Sequence, residues 1–408
     1  MEEKKRIIII GGGAAGYFAA ISAAIHHPNA SVTILEKSQQ VLGKVKVSGG
    51  GRCNVTNGAK TIKDLCLGYP RGEKLLKNLF KEFNNQHTIQ WFESKGVPLK
   101  TEPDGRVFPK SDSSQSIIDC LQKEHKTLGI NLLKSNGVSS LEKLSDGGWK
   151  IITLQNEQYF ANFIIIATGG HPNLNGYDWL KILDIPIELP VPSLFTFNCP
   201  TSYLKPLMGV SVADAKVKIV GQKYNFQGPI LITHWGFSGP AILKLSSFAA
   251  IDLAKLNYSF KISINWIPNF NEEKLRLFFE TIKKNNPKKS VQNTPIEGIS
   301  TRLWIAFCEF ASIATQQIWA DLTKQKLNIL IEQLTNSVFE VSGKTTFKEE
   351  FVTSGGVSLE AINHETLESK HHKGLYFAGE VLNIDGITGG YNFQAAWTTA
   401  WKSGQLLD

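Results

Sequence analysis

The chain has 408 residues, 42% of them hydrophobic and 20% charged, with a formal net charge of +8. That composition describes an ordinary globular protein of two or three domains, and no apolar run approaches the roughly 20 residues of a membrane helix. Five scattered cysteines (Cys53, Cys66, Cys120, Cys199, Cys308) form no C-x-x-C pair, which argues against a disulfide framework and a structural metal site.

A cytoplasmic protein with reduced thiols, no metal and no membrane partner is therefore expected. The basic balance has no dense block behind it. Its tightest cluster, Lys283, Lys284, Lys288 and Lys289 around Pro287, reads as a solvated helix end, so a nucleic-acid partner is not expected.

Along the chain, a strand at Arg6–Ile10, a glycine turn, a helix from Ala14 to about His26 and a strand at Ser31–Glu36 open a βαβ unit. Helical segments such as Lys74–Phe83 follow, then an Asp104-Gly105 hairpin turn. Ser113 or Ser114 is placed to cap a helix running to about Thr127, and Ile130–Lys134 reads as a strand. Strands at Val138–Leu144, Trp149–Leu154 and Tyr159–Ala167 form an antiparallel meander. From Pro190 alternating segments suggest a β-rich insert, and Asn271–Asn336 is mostly helical. The end returns to the opening style, with a strand Leu375–Ala378 and a helix from about Asn392 to Gly404.

This pattern predicts an α/β fold: a Rossmann-like domain built from both chain ends, carrying a β-barrel-like insert and a helical subdomain. The expected domains are 1–190 with 350–408, 191–270 with 336–349, and 271–335.

Gly11-Gly12-Gly13-Ala14-Ala15-Gly16 is G-x-G-x-x-G between a strand and a helix. The glycines allow a tight turn, close approach to a pyrophosphate and close helix packing, and the helix N-terminus favours negative charge. Glu36 follows at the spacing of a ribose-binding acid. Three distant glycine sites extend the ligand: Ala167-Thr168-Gly169-Gly170, Gly379-Glu380, and Thr388-Gly389-Gly390-Tyr391-Asn392 ahead of the last helix. NAD needs one βαβ unit; FAD is longer and reaches a second helix terminus, so FAD is the expected cofactor.

The chain resembles the bacterial YhiN-type flavoprotein family, which includes aminoacetone oxidase-like FAD enzymes. The resemblance rests on Lys44-x-x-x-Ser48-Gly49-Gly50-Gly51-Arg52-Cys53-Asn54, Asp104–Pro109, Thr233-His234-Trp235-Gly236-Phe237-Ser238-Gly239-Pro240, Thr353–Val357, Gly374–Glu380 and Asp385–Gln394. It implies a FAD domain of the glutathione-reductase class, with Ser48–Asn54 against the FAD, Asn392 and its neighbours at the isoalloxazine, and the backbone of Val138 at the adenine. Lys37, Lys44, Tyr391 and Phe393 belong to the same expected cofactor set. After Ala-Thr-Gly-Gly the chain departs from the family, with a shortened His171–Tyr177 loop.

The chemistry is narrowed by absences in the sequence. Neither Ser48 nor Gly58 is the partner cysteine that a C-x-x-x-x-C redox pair would need with Cys53, so Cys53 reads as a packed residue near the flavin. No second glycine unit serves NAD(P)H, which would act as a transiently docked reductant. His234, read in a strand-to-helix turn, is the candidate catalytic side chain on the substrate side. Arg52 is read as flavin-adjacent, suited to pair with a phosphate or a substrate anion, Tyr391 as covering the flavin edge, His371-His372 as solvent-facing, and Trp397 and Trp401 as core. The expected function is an FAD-dependent oxidoreductase moving a hydride to or from the flavin with a small-molecule substrate. The alternatives are an FAD-dependent RNA-modifying protein and a non-catalytic flavin-binding regulator.

Overall fold

The computed structural model describes residues 4–346 and 352–407. The chain divides into two units, Met1–Ser193 with Phe347–Asp408, and Leu194–Thr346. The boundary expected at 349/350 lies outside the described residues.

The first unit is built on a five-stranded, fully parallel Rossmann-like sheet. Its strands lie in the order Leu375–Phe377, Phe163–Ile166, Arg6–Ile10, Ser31–Leu35 and Asn131–Leu133. Near-continuous isoleucine makes the central strands suited to burial on both faces. The two-residue alternation sends Ile7, Ile9, Ile34 and Ile165 into one core and Ile8, Ile10, Ile164 and Ile166 into another. The first core is covered by the alanine-rich helix Ala14–His26 and by the last helix, Tyr391–Gly404. Gly404 meets Ser22 so closely that a Cβ there would lie 2.5 Å from the serine Cβ.

Several sequence expectations shift. The single strand read at Tyr159–Ala167 is two: Gln158–Ala161 completes an antiparallel meander with Val138–Lys143 and Trp149–Thr153, and Phe163–Ile166 joins the parallel sheet. Asn162 makes the break, exchanging hydrogen bonds with the backbone of Arg6 at 2.7 and 2.8 Å. The helix read at Lys74–Phe83 spans Glu73–Leu79. Ser114 stands at the helix N-cap without a side-chain cap bond, because its hydroxyl donates to Lys46 O at 2.8 Å. The Ser113 hydroxyl accepts from Gln115 N–H instead, at 3.3 Å. His372 is not merely solvent-facing; its ring nitrogen bonds Leu183 O at 2.6 Å.

In the second unit seven antiparallel strands run in the order Ser337–Ser342, Ser259–Asn265, Ser211–Ile219, Asn225–Ile232, Gly236–Ser238, Thr196–Asn198, Lys344–Thr345. Helices Glu272–Asn285, Thr301–Phe310 and Lys324–Asn336 share one core with them, joining Ile262 and Trp266 to Phe279, Trp304 and Leu330. The strands and helices expected as separate subdomains thus bury their apolar faces together.

Candidate cofactor site

Because the sheet of the first unit is parallel, its strands deliver their carboxyl ends to one edge, where open α/β sheets bind ligands. Arg6–Ile10 leads into Gly11–Gly16, Ser31–Leu35 into Glu36, Phe163–Ile166 into Thr168–Gly170, and Leu375–Phe377 into Gly379–Glu380. Four of the sequence-predicted segments therefore meet at this edge.

The glycines here fall into two physical classes. Some are set by packing. A Cβ on Gly11 would lie 2.4 Å from Ala167 O, on Gly16 1.8 Å from Gly11 O, on Gly379 2.7 Å from the Ala15 Cβ, and on Gly390 2.3 Å from Thr56 O. Others face space: at Gly13, Gly50, Gly51 and Gly169 a Cβ would meet nothing within 4 Å. Gly13 is also the N-cap of Ala14–His26 and offers no side chain to cap it. An uncapped helix N-terminus with room beside it suits a phosphate.

Glu36 is buried at the same turn. Its carboxylate accepts from Gly12 N–H at 2.6 Å and from Ser38 N–H and hydroxyl at 2.8 Å each. Beside it, Asn136 N–H donates to Glu36 O at 2.8 Å, and a Cβ on Gly137 would lie 3.1 Å from the Lys37 Cβ. Val138, half-buried, opens the next strand. Lys37 is exposed.

Glu380 gathers three segments. Its carboxylate pairs with Lys44 Nζ at 2.7 Å, accepts Thr353 N–H at 2.9 Å, and stands where a Cβ on Gly170 would come within 2.9 Å. Lys44 belongs to the Gly43–Gly51 segment, whose start is tied back to the first turn by Leu42 N–H donating to Gly12 O at 2.9 Å.

That segment ends in the triple glycine, and it is not a continuous helix. Gly49, Gly50, Gly51 and Cys53 all have left-handed φ, between 58° and 83°. Arg52 and Cys53 N–H groups both donate to Ser48 O, and the Ser48 hydroxyl donates to Val45 O. Cys53 is fully buried, and burial pushes its thiol up to about 12. Arg52 is committed to protein partners: Glu102 at 2.8 Å, Asp112 at 3.6 Å, and the Phe108 ring centre at 4.0 Å.

The last helix begins beside the short strand Thr56–Asn57 that follows this loop. Asn57 Nδ2 donates to Gly389 O at 3.1 Å, and Gly390 caps the helix with no side-chain bond. Asn392 uses its whole amide on Gly386, accepting its N–H at 2.8 Å and donating to its carbonyl at 2.9 Å. The Tyr391 ring packs on Gly68 and edge-to-face on Tyr69, with burial raising its phenol. Phe393 stacks on Trp397, which is buried and donates to Val55 O.

Two polar clusters escaped sequence reading. Asp385, fully buried, is held by a two-point contact from Arg71 and by the Ser193 hydroxyl at 2.7 Å. Gln394, fully buried, accepts from Thr56 and Thr88 and donates to Thr398. Apart from Thr398, one helical turn from Gln394, their partners lie 192 to 338 residues away, where no spacing rule links them.

His234 lies in the second unit. It does not sit in a strand-to-helix turn: it is at the tip of a tight hairpin between Asn225–Ile232 and Gly236–Ser238, closed by reciprocal Thr233–Gly236 backbone bonds. The short strand Gly236–Ser238 intervenes before the helix Pro240–Phe248. The imidazole is exposed, with its ring centre 4.2 Å from that of Trp235. Among the described residues, no helix is long and apolar enough to cross a membrane, and no cluster of His, Cys, Asp or Glu is placed to hold a metal.

Comparison with known proteins agrees with this architecture. The profile described as HI0933-like protein Rossmann domain matches residues 5–406. A protein of Escherichia coli K12 named ribosomal RNA dihydrouridine synthase is 30% identical over 403 residues, covering 95% of this chain and 94% of its own. The 3-dehydro-bile acid delta(4,6)-reductase of Clostridium scindens is 28% identical over 396 residues, 95% of each. Among solved structures, a 3-ketosteroid-delta4-(5alpha)-dehydrogenase from Rhodococcus jostii RHA1 shares the fold, with a TM-score of 0.51 and 13% identity, over 100% of this chain and 97% of that one.

Proposed function

Since the chain belongs to the HI0933-like Rossmann-domain family, we propose that it is an FAD-dependent oxidoreductase acting on a carbon–carbon double bond conjugated with a carbonyl in a small molecule. The observation that supports the cofactor is the set of open glycines, Gly13 and Gly169 at the carboxyl edge of the sheet and Gly50 and Gly51 on the Gly43–Gly51 segment, which leaves room at several separate points, as a dinucleotide needs. FAD, when bound, supplies the hydride chemistry.

The chain's own groups would divide the work as follows. N–H groups of Ala14 and Ala15 at the uncapped helix start hold the pyrophosphate, and Glu36 accepts from ribose hydroxyls. The backbone of Val138 and the stem of Lys37 flank the adenine. Thr168, Gly169, Gly379 and Glu380 line the sugar-alcohol stretch, with Lys44 orienting Glu380. Ser48, Gly50, Gly51, Arg52 and Cys53 form the loop at the ring end. The helix start at Gly389, Gly390, Tyr391, Asn392 and Phe393 stabilises negative charge on the ring's pyrimidine edge. His234 is the proposed proton carrier on the substrate side. NAD(P)H is the proposed reductant, docking transiently.

The reaction class is supported by the names of both relatives, each describing saturation of a double bond conjugated with a carbonyl. A second reading, that the double bond belongs to a uracil in RNA, is favoured by the name of the Escherichia coli relative. One anaerobic experiment separates them. The flavin is bleached with NADH or NADPH, then offered a panel of enones or a uridine-containing RNA. Recovery of flavin absorbance with an enone supports the first reading, and recovery with RNA alone supports the second. Recovery only on admitting oxygen sinks the double-bond reading.

A further inference from the structure

The triple-glycine loop needs an external brace. Three consecutive glycines carry more backbone entropy than any other tripeptide, and left-handed φ at Gly49, Gly50, Gly51 and Cys53 leaves no regular hydrogen-bond ladder to hold them. The brace is visible on one side only. Phe108 lies under the loop, where a Cβ on Gly49 would come within 3.0 Å of its Cε1. Across that ring lies the Arg52 guanidinium, 4.0 Å from the ring centre, and Glu102 anchors it at 2.8 Å. Arg106 joins the same carboxylate at 3.0 Å. Beyond this clasp, Asn54 Oδ1 accepts from Val107 N–H, and Ser114 N–H donates to Gly51 O at 2.8 Å. On the other side, Gly50 and Gly51 face open space.

Arg52 therefore has a role different from the one its sequence suggests. Its charge is already spent on Glu102, Asp112 and the Phe108 face, and a cation stacked this way is a stiff, geometrically defined contact. We infer that Arg52 is a positioning residue: clasped over Phe108 and tied to Glu102, it fixes the Gly49–Gly51 cradle in the shape that receives the flavin ring, and it does not ligate the cofactor's phosphates. This rests on the FAD reading above. It adds that the ring end of the site is preorganised from the Leu99–Thr101 and Arg106–Pro109 hairpin.

The test uses the full chain as wild type, Arg52→Gln, Arg52→Lys and Glu102→Gln. FAD and riboflavin are titrated by fluorescence, visible spectra of bound flavin are recorded, and the flavin-free proteins are melted. Riboflavin has the ring and no phosphate, so it isolates the ring end. Arg52→Gln is expected to weaken both ligands by the same factor, on the order of tenfold or more, and to shift the bound-flavin spectrum. Arg52→Lys keeps the charge and loses the planar stack on Phe108, so it recovers only part of the loss. Glu102→Gln reproduces part of it. An unchanged affinity and spectrum in Arg52→Gln would overturn the inference. So would a loss for FAD that spares riboflavin, the mark of a direct phosphate ligand. Should the wild type bind neither flavin, the FAD reading itself fails, before Arg52 is at issue.

Discussion

Two glycines three residues apart in one motif should fail in opposite ways when each is given a methyl group. At Gly16 a Cβ would stand 1.8 Å from Gly11 O and 2.9 Å from its carbonyl carbon, where real contacts begin near 3.0 Å. The helix Ala14–His26 and the strand Arg6–Ile10 would have to part by roughly 1 Å in the middle of a close-packed core. Overpacking of that kind costs about 1–3 kcal/mol, and rigid backbone on both sides puts Gly16→Ala at the upper end. For a unit of this size that lowers Tm by about 5–12 °C. At Gly13 the backbone is extended, with φ −87°, and a Cβ meets nothing within 4 Å. Gly13→Ala should leave the flavin-free melt within about 1–2 °C of wild type. It should nonetheless weaken FAD by about 30–100-fold, because the new methyl displaces a phosphate from the helix N–H groups at a cost of about 2–3 kcal/mol. Differential scanning fluorimetry of the flavin-free proteins and fluorescence titration with FAD read the two effects separately. If Gly13→Ala binds FAD like wild type, the open space beside it is not the phosphate site.

Three further outcomes are expected. Removing one partner of the buried Arg71–Asp385 contact, as in Arg71→Met, should cost about 3–5 kcal/mol in a urea titration, since it strands a charge; an effect below about 1 kcal/mol would mean that Asp385 is neutral in the fold. None of the five thiols should react quickly with a disulfide reagent at pH 8 in the native state, because all are buried, and burial pushes Cys53, Cys199 and Cys308 up to about 12; one fast equivalent would contradict this. The Lys100 ammonium, with Arg52, holds Asp112 below the usual carboxylate value of 3.8. A depressed folded-state value stabilises the fold above that pH, and the benefit is lost as pH falls through the lowered value. Melts of Asp112→Asn against wild type should therefore converge in strong acid and differ slightly at neutral pH; a gap that widens in acid would reverse the sign.

How much of this was legible in the sequence follows from the range of each interaction. The βαβ opening could be read because isoleucine runs, an alanine-rich helix and three glycines are local signals. Reading the return of the chain's end to the same domain needed only a second strand–glycine–helix pattern at Leu375–Gly404. Asn162 was missed because the apolar run continues through it, and only its bonds to Arg6 divide the strand between two sheets. Tyr391 and Asn392 were read for the cofactor, yet the Tyr391 ring packs on Gly68 and the Asn392 amide closes on Gly386. Polar residues near a motif advertise function, and whether a neighbour has already claimed their hydrogen bonds is a three-dimensional fact. The same holds for Arg52, whose partners Glu102 and Asp112 are fifty and sixty residues on.

The docking of Tyr391–Gly404 against Ala14–His26 also sets the order of events on the ribosome. The first unit lacks its edge strand and one covering helix until residues near 404 emerge, long after Ile166 has been made. Roughly 240 residues separate the two, on the order of 10–50 s of synthesis. The second unit is one uninterrupted stretch, Leu194–Thr346, and can fold as it leaves the tunnel. For that interval Phe18 and its apolar neighbours on the first helix lack the Trp397 and Trp401 rings that later cover them. A nascent chain in this state is a natural client for a chaperone, and a ribosome stalled before codon 391 should leave it in need of one.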